Sequence, residues 1–238
     1  MDLKETDILG DSIADHWYYR AKAAAMMKLL PIRSPAVILD VGAGSDFFSR
    51  YLLTHTTASE AWCVDTSYDT DSEAAAAGKP LHYRRSLETA AADVVLLMDV
   101  LEHIDDDVGL LADYVGRVPK GARFLISVPA FQSLWSGHDV FLQHKRRYTL
   151  PALEDVIRRA GLQPQQSAYY FGLVFPIAVA ARLLNQWCSS GHEAPRSQLK
   201  RHSPLVNGAL GAICKVELPL LAINRLAGLT VFCLARRP

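Results

Sequence analysis

The sequence predicts an α/β fold, in which helices cover both faces of a mostly parallel, doubly wound β-sheet. Apolar runs typical of buried strands alternate with helical segments along most of the 238 residues. Three of those runs end in an aspartate, at Asp40, Asp65 and Asp99. Because parallel strands end at the same edge of a sheet, we expect the three carboxylates to lie along one edge.

The elements follow in a regular order. A helix is expected over residues 12–30, where alanine and methionine favour it before Pro31 and Pro35 end it. Strands are expected near 36–42, 61–65, 81–84, 93–99, 122–128, 167–171 and 229–236. Helices are expected near 46–54, 69–77 and 106–118, and from an N-cap at Thr149 to a stop at Gly161.

A single domain is expected to span residues 1–238, because a chain of this length with half of its residues hydrophobic can bury one substantial core. Its parts are the N-terminal helix at 12–30, a core at 36–171, a helical insert at 172–228 and a last strand at 229–236.

The insert is apolar enough to raise the question of a membrane. Its two apolar stretches carry polar or charged interruptions such as Arg182, Lys215 and Arg225, so we do not expect either stretch to span a bilayer. Two interpretations remain open. The insert either closes a pocket or forms the face of a homodimer, or it rests on a membrane and receives a lipid-linked substrate.

The amino-acid composition indicates the cellular compartment of the protein and the kinds of partner to expect. The 25 basic and 25 acidic residues balance, so no overall positive field attracts nucleic acid, and we expect no nucleic-acid partner. The cysteines lie far apart, without the paired spacing of a zinc site or a disulfide framework. The acidic N-terminus lacks the apolar core of a secretion signal. We therefore expect a cytoplasmic protein, either soluble or at the membrane periphery.

The turn after the first strand has the features of a cofactor site. Gly42 and Gly44 allow the backbone to approach a ligand closely, and Asp65 stands where a carboxylate can accept both hydroxyls of a ribose. A dinucleotide fingerprint requires a third glycine at the position of Phe47. Asp40 and Asp46 also place negative charge where a pyrophosphate would lie, and a positively charged sulfonium would tolerate that charge better.

Three motifs together carry a resemblance to class I S-adenosylmethionine-dependent methyltransferases. They are Asp40-x-Gly42-x-Gly44, the acid Asp65, and the run Met98-Asp99-Val100-Leu101-Glu102-His103-Ile104. The upstream His16-Trp17-Tyr18-Tyr19-Arg20 and the downstream His138-Asp139 and His144-Lys145-Arg146-Arg147-Tyr148-Thr149 resemble one bacterial group of these enzymes. The resemblance implies a Rossmann-like sheet with an antiparallel last strand.

The resemblance also implies roles for individual residues in holding S-adenosylmethionine. Asp40, Gly42 and Gly44 would line the methionine part, Asp65 would hold the ribose, and Asp99 would border the amino group. The N-terminal helix would act as a lid. In that lid, Trp17 would shield the reacting centre from water and Arg20 would pair with the carboxylate of the cofactor. Asp46 replaces the third glycine of the family and is expected to cap the following helix.

Methyl transfer needs alignment and removal of a proton from the acceptor, and His103 and His144 are the candidate bases. Glu102, His138, Arg147 and Tyr148 are the candidate substrate-binding residues. No metal site is assigned. A divalent metal is kept as an alternative, because Asp99, Glu102, His103 and His144 resemble the metal-holding element of small-RNA 2'-O-methyltransferases and ubiquinone-pathway O-methyltransferases.

The expected reaction is methyl transfer to oxygen of a small-molecule, glycan or lipid-linked acceptor. Two other functions remain open. Asp46 and the lack of an adenine-binding acid within residues 83–87 would suit a cofactor-binding protein whose catalysis has decayed. An RNA methyltransferase is the other alternative, which the neutral net charge disfavours.

Overall fold

A computed structural model of the chain describes residues 9–30, 32, 34, 36–180, 197 and 202–238. Eight strands form one sheet in the order β3-β4-β2-β1-β5-β6-β8-β7. The strands are β1 Val37–Val41, β2 Glu60–Val64, β3 Ser72–Ala76, β4 Lys79–Arg84, β5 Val94–Met98, β6 Arg123–Pro129, β7 Gln163–Tyr170 and β8 Thr230–Arg236.

Most of the sheet is parallel. The pairs β1 with β2, β1 with β5, β2 with β4 and β5 with β6 are parallel. The last strand, β8, runs antiparallel to both of its neighbours, β6 and β7. This confirms the predicted Rossmann-like, doubly wound sheet with an antiparallel last strand.

Helices cover both faces of the sheet. They are α1 Trp17–Leu29, α2 Phe47–His55, α3 Asp107–Arg117, α4 Gly137–Leu142, α5 Leu150–Arg159 and α6 Pro204–Glu217. Buried residues of α1, α2 and α6 belong to one hydrophobic cluster and those of α3 and α5 to another. The sheet therefore separates two cores, as expected for strands that are hydrophobic on both faces.

The helix predicted near 69–77 is wrong, because the structure has strand β3 there. Ser72–Ala76 pairs antiparallel with β4 across a two-residue turn at Ala77 and Gly78. Both turn residues have positive φ, 51° and 73°, which is the backbone of the tight hairpin turns that suit a right-handed strand twist. Pairing at the sheet edge thus outweighs the helix propensity of the alanines.

The predicted N-terminal helix is interrupted. A 3₁₀ helix covers Gly10–Asp15, His16 is extended with φ −71° and ψ 129°, and α1 begins at Trp17. The segment between Pro129 and Thr149 contains a 3₁₀ turn at Gln132–Leu134 followed by α4.

The insert lies between β7 and β8. Residues 181–196 and 198–201, which include Arg182 and Cys188, lie outside the described residues. A helical turn covers residues 175–180, and α6 is followed by a 3₁₀ helix at Leu218–Ile223. Asn207 ties α6 to α1, since its Oδ1 accepts from the Trp17 amide at 2.9 Å and its Nδ2 donates to the Asp15 carbonyl at 2.9 Å.

The insert exposes an apolar surface. Its members, called here the insert surface, are Leu173, Ile177, Leu205, Val206, Val216, Leu220, Ile223 and Leu226. Within the described part of the chain, Pro204–Ile223 is the one helical segment long and apolar enough to cross a membrane by length and composition alone. Its mean hydropathy is 1.5 and only 17% of its apolar window is buried, unlike a core helix of similar composition.

Candidate functional site

The turn after β1 has the backbone that its glycines predict. Gly42 and Gly44 have φ of 65° and 53°, which glycine adopts at low cost. A Cβ on Gly42 would lie 2.8 Å from Cγ2 of Val100, so the neighbouring strand end also leaves no room for a side chain. The Gly42 amide donates to the Val64 carbonyl at 2.7 Å, which holds the turn against the end of β2.

Three aspartates stand at the ends of adjacent strands, as the sequence predicts. Asp40 lies in β1, Asp65 follows β2 and Asp99 follows β5, and these strands are neighbours in the sheet. Asp65 is fixed by the turn, since its Oδ2 accepts from the Gly44 amide and its Oδ1 from the Ser67 amide, each at 2.9 Å. Each carboxylate oxygen can still accept a further hydrogen bond.

Asp40 is the most buried of the three, with 2% of its surface exposed. Burial raises the pKa of Asp40 to about 6, although the Ser49 hydroxyl, which donates to it at 2.7 Å, works in the opposite direction. The negative charge of this carboxyl is therefore costly to the fold, and a cationic ligand would compensate for it.

Asp46 has a different role from the expected helix cap. It occupies the N-cap position of α2 with a left-handed backbone, φ 58°, but its side chain caps no amide. The carboxylate instead pairs with Arg50 Nε at 2.7 Å and accepts from the Tyr83 hydroxyl. Asp46 can stand at the third glycine position because aspartate tolerates the left-handed region better than most residues do.

Asp99 forms an ion pair with Lys22 of α1. The Lys22 side chain is fully buried, and that of Asp99 is 22% exposed. Burial alone would lower the pKa of Lys22, but the Asp99 carboxylate raises it above its ordinary value. Burial would likewise raise the pKa of Asp99, and the Lys22 charge lowers it. Both groups are therefore charged where α1 crosses the sheet edge.

Arg20, predicted to face the cofactor, lies elsewhere. Its side chain is exposed and lines a cavity between α1, α2 and α6, together with Tyr51 and Lys215. Lys22, two residues later, is the cation of α1 that reaches the strand ends. The sequence carries a signal for Lys22, since it shares a helix face with the buried Tyr19 and Met26 at spacings of three and four.

A cavity of about 270 Å³ adjoins Asp99 beneath α1. It holds five of the eight histidines of the chain. The predicted site residues that line it are Trp17, Asp99, Glu102, His103, His138, His144 and Arg147. Apolar groups close the remainder, and they include Tyr18, Leu142, Val174 and Leu229. The structure thus brings most of the predicted catalytic and substrate-binding residues into one pocket.

A buried carboxylate orients His144. Its Nδ1 lies 2.9 Å from Asp139 Oδ1, and the same carboxylate accepts from Arg147 Nε at 2.6 Å and Nη2 at 3.0 Å. Burial would raise the pKa of Asp139, but the hydrogen bonds from His144 and Arg147 hold it well below its usual range. Because an ionised Asp139 accepts the Nδ1 proton, the Nε2 of neutral His144 carries the lone pair.

The backbone places this pair. Asp139 sits in the first turn of α4 in a capping box with Ser136, and α4 ends at Gln143 in the left-handed conformation, φ 60°. The chain then turns so that His144 returns to Asp139. The Lys145 amide donates to the Glu102 carbonyl at 2.6 Å, which brings the His103 and His144 rings to 4.8 Å between centroids. In the sequence Asp139 follows His138 within a motif, and nothing in that pattern indicates its contact with His144.

Glu102 is fully buried, and neither of its carboxyl oxygens has a hydrogen-bond partner within the described ranges. Burial and the nearby Asp99 raise the pKa of Glu102 well above its ordinary value, which favours the protonated form of this group. Glu102, His103 and His144 each offer one ligand atom, all within 4.8 Å of one another. This donor set of one carboxylate and two imidazoles also suits a divalent cation.

Two residues predicted to bind the substrate, Tyr148 and Arg147, make their hydrogen bonds to other residues of the protein. Tyr148 is 3% exposed and donates its hydroxyl to Asp107 Oδ2 at 2.7 Å, so it belongs to the core. Arg147 lines the cavity, but its guanidinium is used on Asp139 and on the Ala130 carbonyl. Arg147 therefore positions Asp139.

The arrangement fits S-adenosylmethionine. Carboxylates at three adjacent strand ends suit its sulfonium, ammonium and ribose, the glycine turn admits its close approach, and Lys22 offers a cation near Asp99. These residues are the ones that would hold it.

Comparisons with known proteins agree with this geometry. A family model described as a methyltransferase domain matches residues 14–167, which is more than half of the chain. No curated protein matches the chain.

Solved structures share the fold at low sequence identity. A chain from the complex of the Haloferax volcanii Trm112 methyltransferase activator with a methyltransferase is 16% identical, with a TM-score of 0.57 over 95% of this chain and 92% of that chain. A Bacillus halodurans methyltransferase is 11% identical, with a TM-score of 0.55 over 92% and 99%.

Phosphoethanolamine N-methyltransferase 2 of Haemonchus contortus, solved with S-adenosyl-L-methionine, is 16% identical. Its TM-score is 0.56 over 92% of this chain and 53% of that chain. The matched domain shows that the chain belongs to the methyltransferase domain family, and the solved structures show that it has the Rossmann-like fold of class I S-adenosylmethionine-dependent methyltransferases.

Proposed function

We propose that this protein methylates an oxygen of a small-molecule, glycan or lipid-linked acceptor, with His144 as the general base. The observation that carries the proposal is the His144–Asp139 pair in a cavity beside Asp99. His103 is the second candidate, and we favour His144 because Asp139 orients it directly, at 2.9 Å from Nδ1. The sequence alone did not distinguish between the two histidines.

The chemistry follows from the charges. S-adenosylmethionine, when bound, supplies an electrophilic methyl carbon activated by positive sulfur. Asp40, Asp65 and Asp99 bind and orient that cation at the strand ends. The bound cofactor would supply the methyl carbon to the acceptor oxygen and keep the electron pair of its carbon–sulfur bond, and Nε2 of His144 would accept the proton of the acceptor hydroxyl. Asp139 stabilises the imidazolium that forms, and Trp17 and Tyr18 exclude water from above.

The cavity limits what part of the acceptor is enclosed. A volume of about 270 Å³ lies near the lower end for small-molecule sites, so it suits the reacting end of an acceptor rather than a large ligand. Glu102, protonated in its buried position, can donate a hydrogen bond to that end. His138 lines the same wall and is the other substrate contact that we propose.

Lipid-linked acceptors would reach the cavity from the insert surface. Val174 and Ala178 line the cavity, and Leu173 and Ile177 beside them are exposed. The charged residues of 204–226 are Lys215, Arg225 and Glu217, and Glu217 is 3% exposed and accepts from the Gly172 amide. We therefore propose a cytoplasmic protein whose insert surface contacts an anionic membrane.

Flotation with phosphatidylglycerol vesicles tests this contact. The double variant Leu220→Asp/Ile223→Asp should lose binding, whereas Val140→Asp, on α4, should not. Equal flotation of all three proteins would contradict the membrane contact. A dimer in solution that Leu220→Asp/Ile223→Asp dissociates would instead identify this surface as a homodimer face.

Transfer of radiolabelled methyl groups tests the reaction. Purified protein is incubated with labelled S-adenosylmethionine and separate metabolite, lipid and RNA fractions of a cell extract. His144→Asn should lower transfer at least a hundredfold, while His82→Gln, on β4, should leave it nearly unchanged. Label in the RNA fraction, or no transfer at all, would contradict the proposed acceptor class.

A further inference from the structure

A second cavity lies on the other side of α1 from the histidine cavity. It occupies about 570 Å³ between α1, α2 and α6, and we call it the α1–α6 groove. Its residues are distinct from the histidine cavity except for Trp17, which lines both. The proposed methyl transfer uses none of the groove's other residues.

The charged side chains among the described residues that line the groove are basic. Arg20 from α1 and Lys215 from α6 line it, and none of the other described residues that line it is an aspartate or a glutamate. Neither cation forms an ion pair or a side-chain hydrogen bond with any residue that the structure describes, so their charges are not neutralised within that part of the chain. Such a site favours a ligand with negative charge.

Apart from His55 and Asn207, the rest of the groove is lined by apolar, aromatic and glycine residues, and it is open. Phe47, Tyr51 and Leu218 supply large apolar or aromatic side chains. A Cβ on Gly208 would meet nothing within 4 Å, and one on Gly211 would come only to 3.9 Å from Trp17 Cβ. The two glycines therefore leave space along α6 that ordinary helix-forming residues would fill.

We propose that the α1–α6 groove binds an anionic amphiphile, a phosphate or carboxylate head group attached to an alkyl chain. The head group lies between Arg20 and Lys215, and the chain lies along Gly208 and Gly211 against Phe47 and Tyr51. The volume is that of an ordinary small-molecule site, large enough for a head group and part of a chain. This site is independent of the proposed methyl transfer.

Calorimetric titration with decyl phosphate, below its critical micelle concentration, tests the proposal. The wild-type chain should bind decyl phosphate at least tenfold more tightly than decyltrimethylammonium, which has the same chain and the opposite charge. It should also bind it at least tenfold more tightly than inorganic phosphate, which distinguishes an amphiphile from a free anion. If either decyltrimethylammonium or inorganic phosphate binds as tightly as decyl phosphate, the proposal is overturned.

Two variants locate the binding. Gly211→Leu, which fills the groove, should abolish decyl phosphate binding, and Lys215→Gln should weaken it about tenfold. Gly116→Leu is the matched control, since Gly116 is an exposed helical glycine of α3 with nothing near its Cβ. Decyl phosphate binding unchanged in Gly211→Leu, or lost equally in Gly116→Leu, would place the ligand elsewhere and overturn the proposal.

Discussion

Lys22 of α1 and Asp99 at the end of β5 form an ion pair where the N-terminal helix crosses the sheet edge. The Lys22 Nζ also lies 5.2 Å from the centre of the Tyr18 ring, in a cation–π contact. Asp99 itself has a left-handed backbone, φ 58°, and accepts from the Ser127 hydroxyl at 3.2 Å. This pair connects α1 electrostatically to the strand end that borders the histidine cavity.

Removing Lys22 should destabilise the fold through the charge it leaves behind. We expect Lys22→Met to lower the free energy of unfolding by about 2–4 kcal/mol, less than for a fully buried pair because Asp99 is partly exposed. Adding Asp99→Asn should recover part of the loss, since no unpaired charge then remains. Urea unfolding measures both. Lys28→Met, an exposed position on the same helix, is the control, and strictly additive losses would refute the coupling.

Cofactor affinity should depend on Asp65. We expect Asp65→Ala to weaken binding of S-adenosylhomocysteine at least tenfold, about 1.4 kcal/mol, because the ribose loses its carboxylate and the Gly44 amide loses its acceptor. Isothermal titration calorimetry measures the change. Asp69→Ala, an exposed aspartate of the following loop, should bind as the wild type does. If Asp65→Ala binds S-adenosylhomocysteine with wild-type affinity, Asp65 does not contact the ribose.

The pKa of Asp40 predicts a pH dependence of stability. Its folded value of about 6 lies above the ordinary 3.8, so this group favours the folded state most below about pH 4, and the advantage is lost as pH rises through 6. Asp40→Asn should therefore gain up to about 3 kcal/mol relative to the wild type between pH 4 and pH 7, at about 1.4 kcal/mol per pKa unit. Thermal and urea unfolding across this range test it, and parallel curves would contradict it.

The same titration should affect cofactor binding in the opposite direction. Because the ionised Asp40 attracts a sulfonium, affinity for S-adenosylmethionine should increase as pH rises through 6 in the wild type. The increase should be smaller in Asp40→Asn. S-adenosylhomocysteine, which lacks the sulfonium charge, should show a weaker dependence in the wild type and thereby separates this effect from general pH effects.

The sequence predicted the sheet edge because its determinants are local. Apolar runs that end in Asp40, Asp65 and Asp99 specify parallel strand ends, and the glycines specify a turn that few other residues can adopt. The error at residues 69–77 arose because alanine propensity is a weak signal. A hairpin turn at Ala77 and Gly78 and pairing with β4 outweighed it.

Some residues of the candidate site can be recognised in the sequence, but the contacts between them depend on turns and helix faces that the fold creates. His103, His144 and Glu102 could be recognised in the sequence as candidate reactive groups, but the contact in which the Asp139 carboxylate orients His144 could not. That contact requires the turn at Gln143, which sequence periodicity does not reveal. Arg20 and Lys22 differ by two positions on one helix and so face different sides, and only the structure shows which side meets Asp99.

Glu102 tests whether the histidine cavity uses a protonated acid or a metal. Because burial raises the pKa of Glu102 and favours its protonated form, the free energy of unfolding of Glu102→Gln should lie within about 1 kcal/mol of the wild-type value at pH 7, and the variant should retain most of its methyl transfer. Treatment with EDTA should leave wild-type transfer unchanged. Loss of transfer in Glu102→Gln and after EDTA, restored in the wild type by Mn²⁺, would identify Glu102, His103 and His144 as a metal site instead.

Asp139 should control His144 without contacting the acceptor. We expect Asp139→Asn to lower kcat for methyl transfer at least a hundredfold, with KM for the acceptor and affinity for S-adenosylhomocysteine changed less than threefold. In this variant Arg147 has lost its charged partner, so the variant should also be less stable than the wild type. In the wild type the pKa of Asp139 is lowered, so the ionised carboxylate stabilises the fold above about pH 4 and this contribution is lost on acidification. The difference in the free energy of unfolding between wild type and variant should therefore become smaller as pH falls.

His144→Asn separates positioning from structure, because it leaves the Asp139–Arg147 pair in place. Its free energy of unfolding should be close to that of the wild type, and its kcat should still fall at least a hundredfold. In the double variant, the loss of kcat should equal that of His144→Asn alone, since a positioning residue has no effect once the base it orients is absent. A further hundredfold loss in the double variant would mean that Asp139 acts on the reaction by itself.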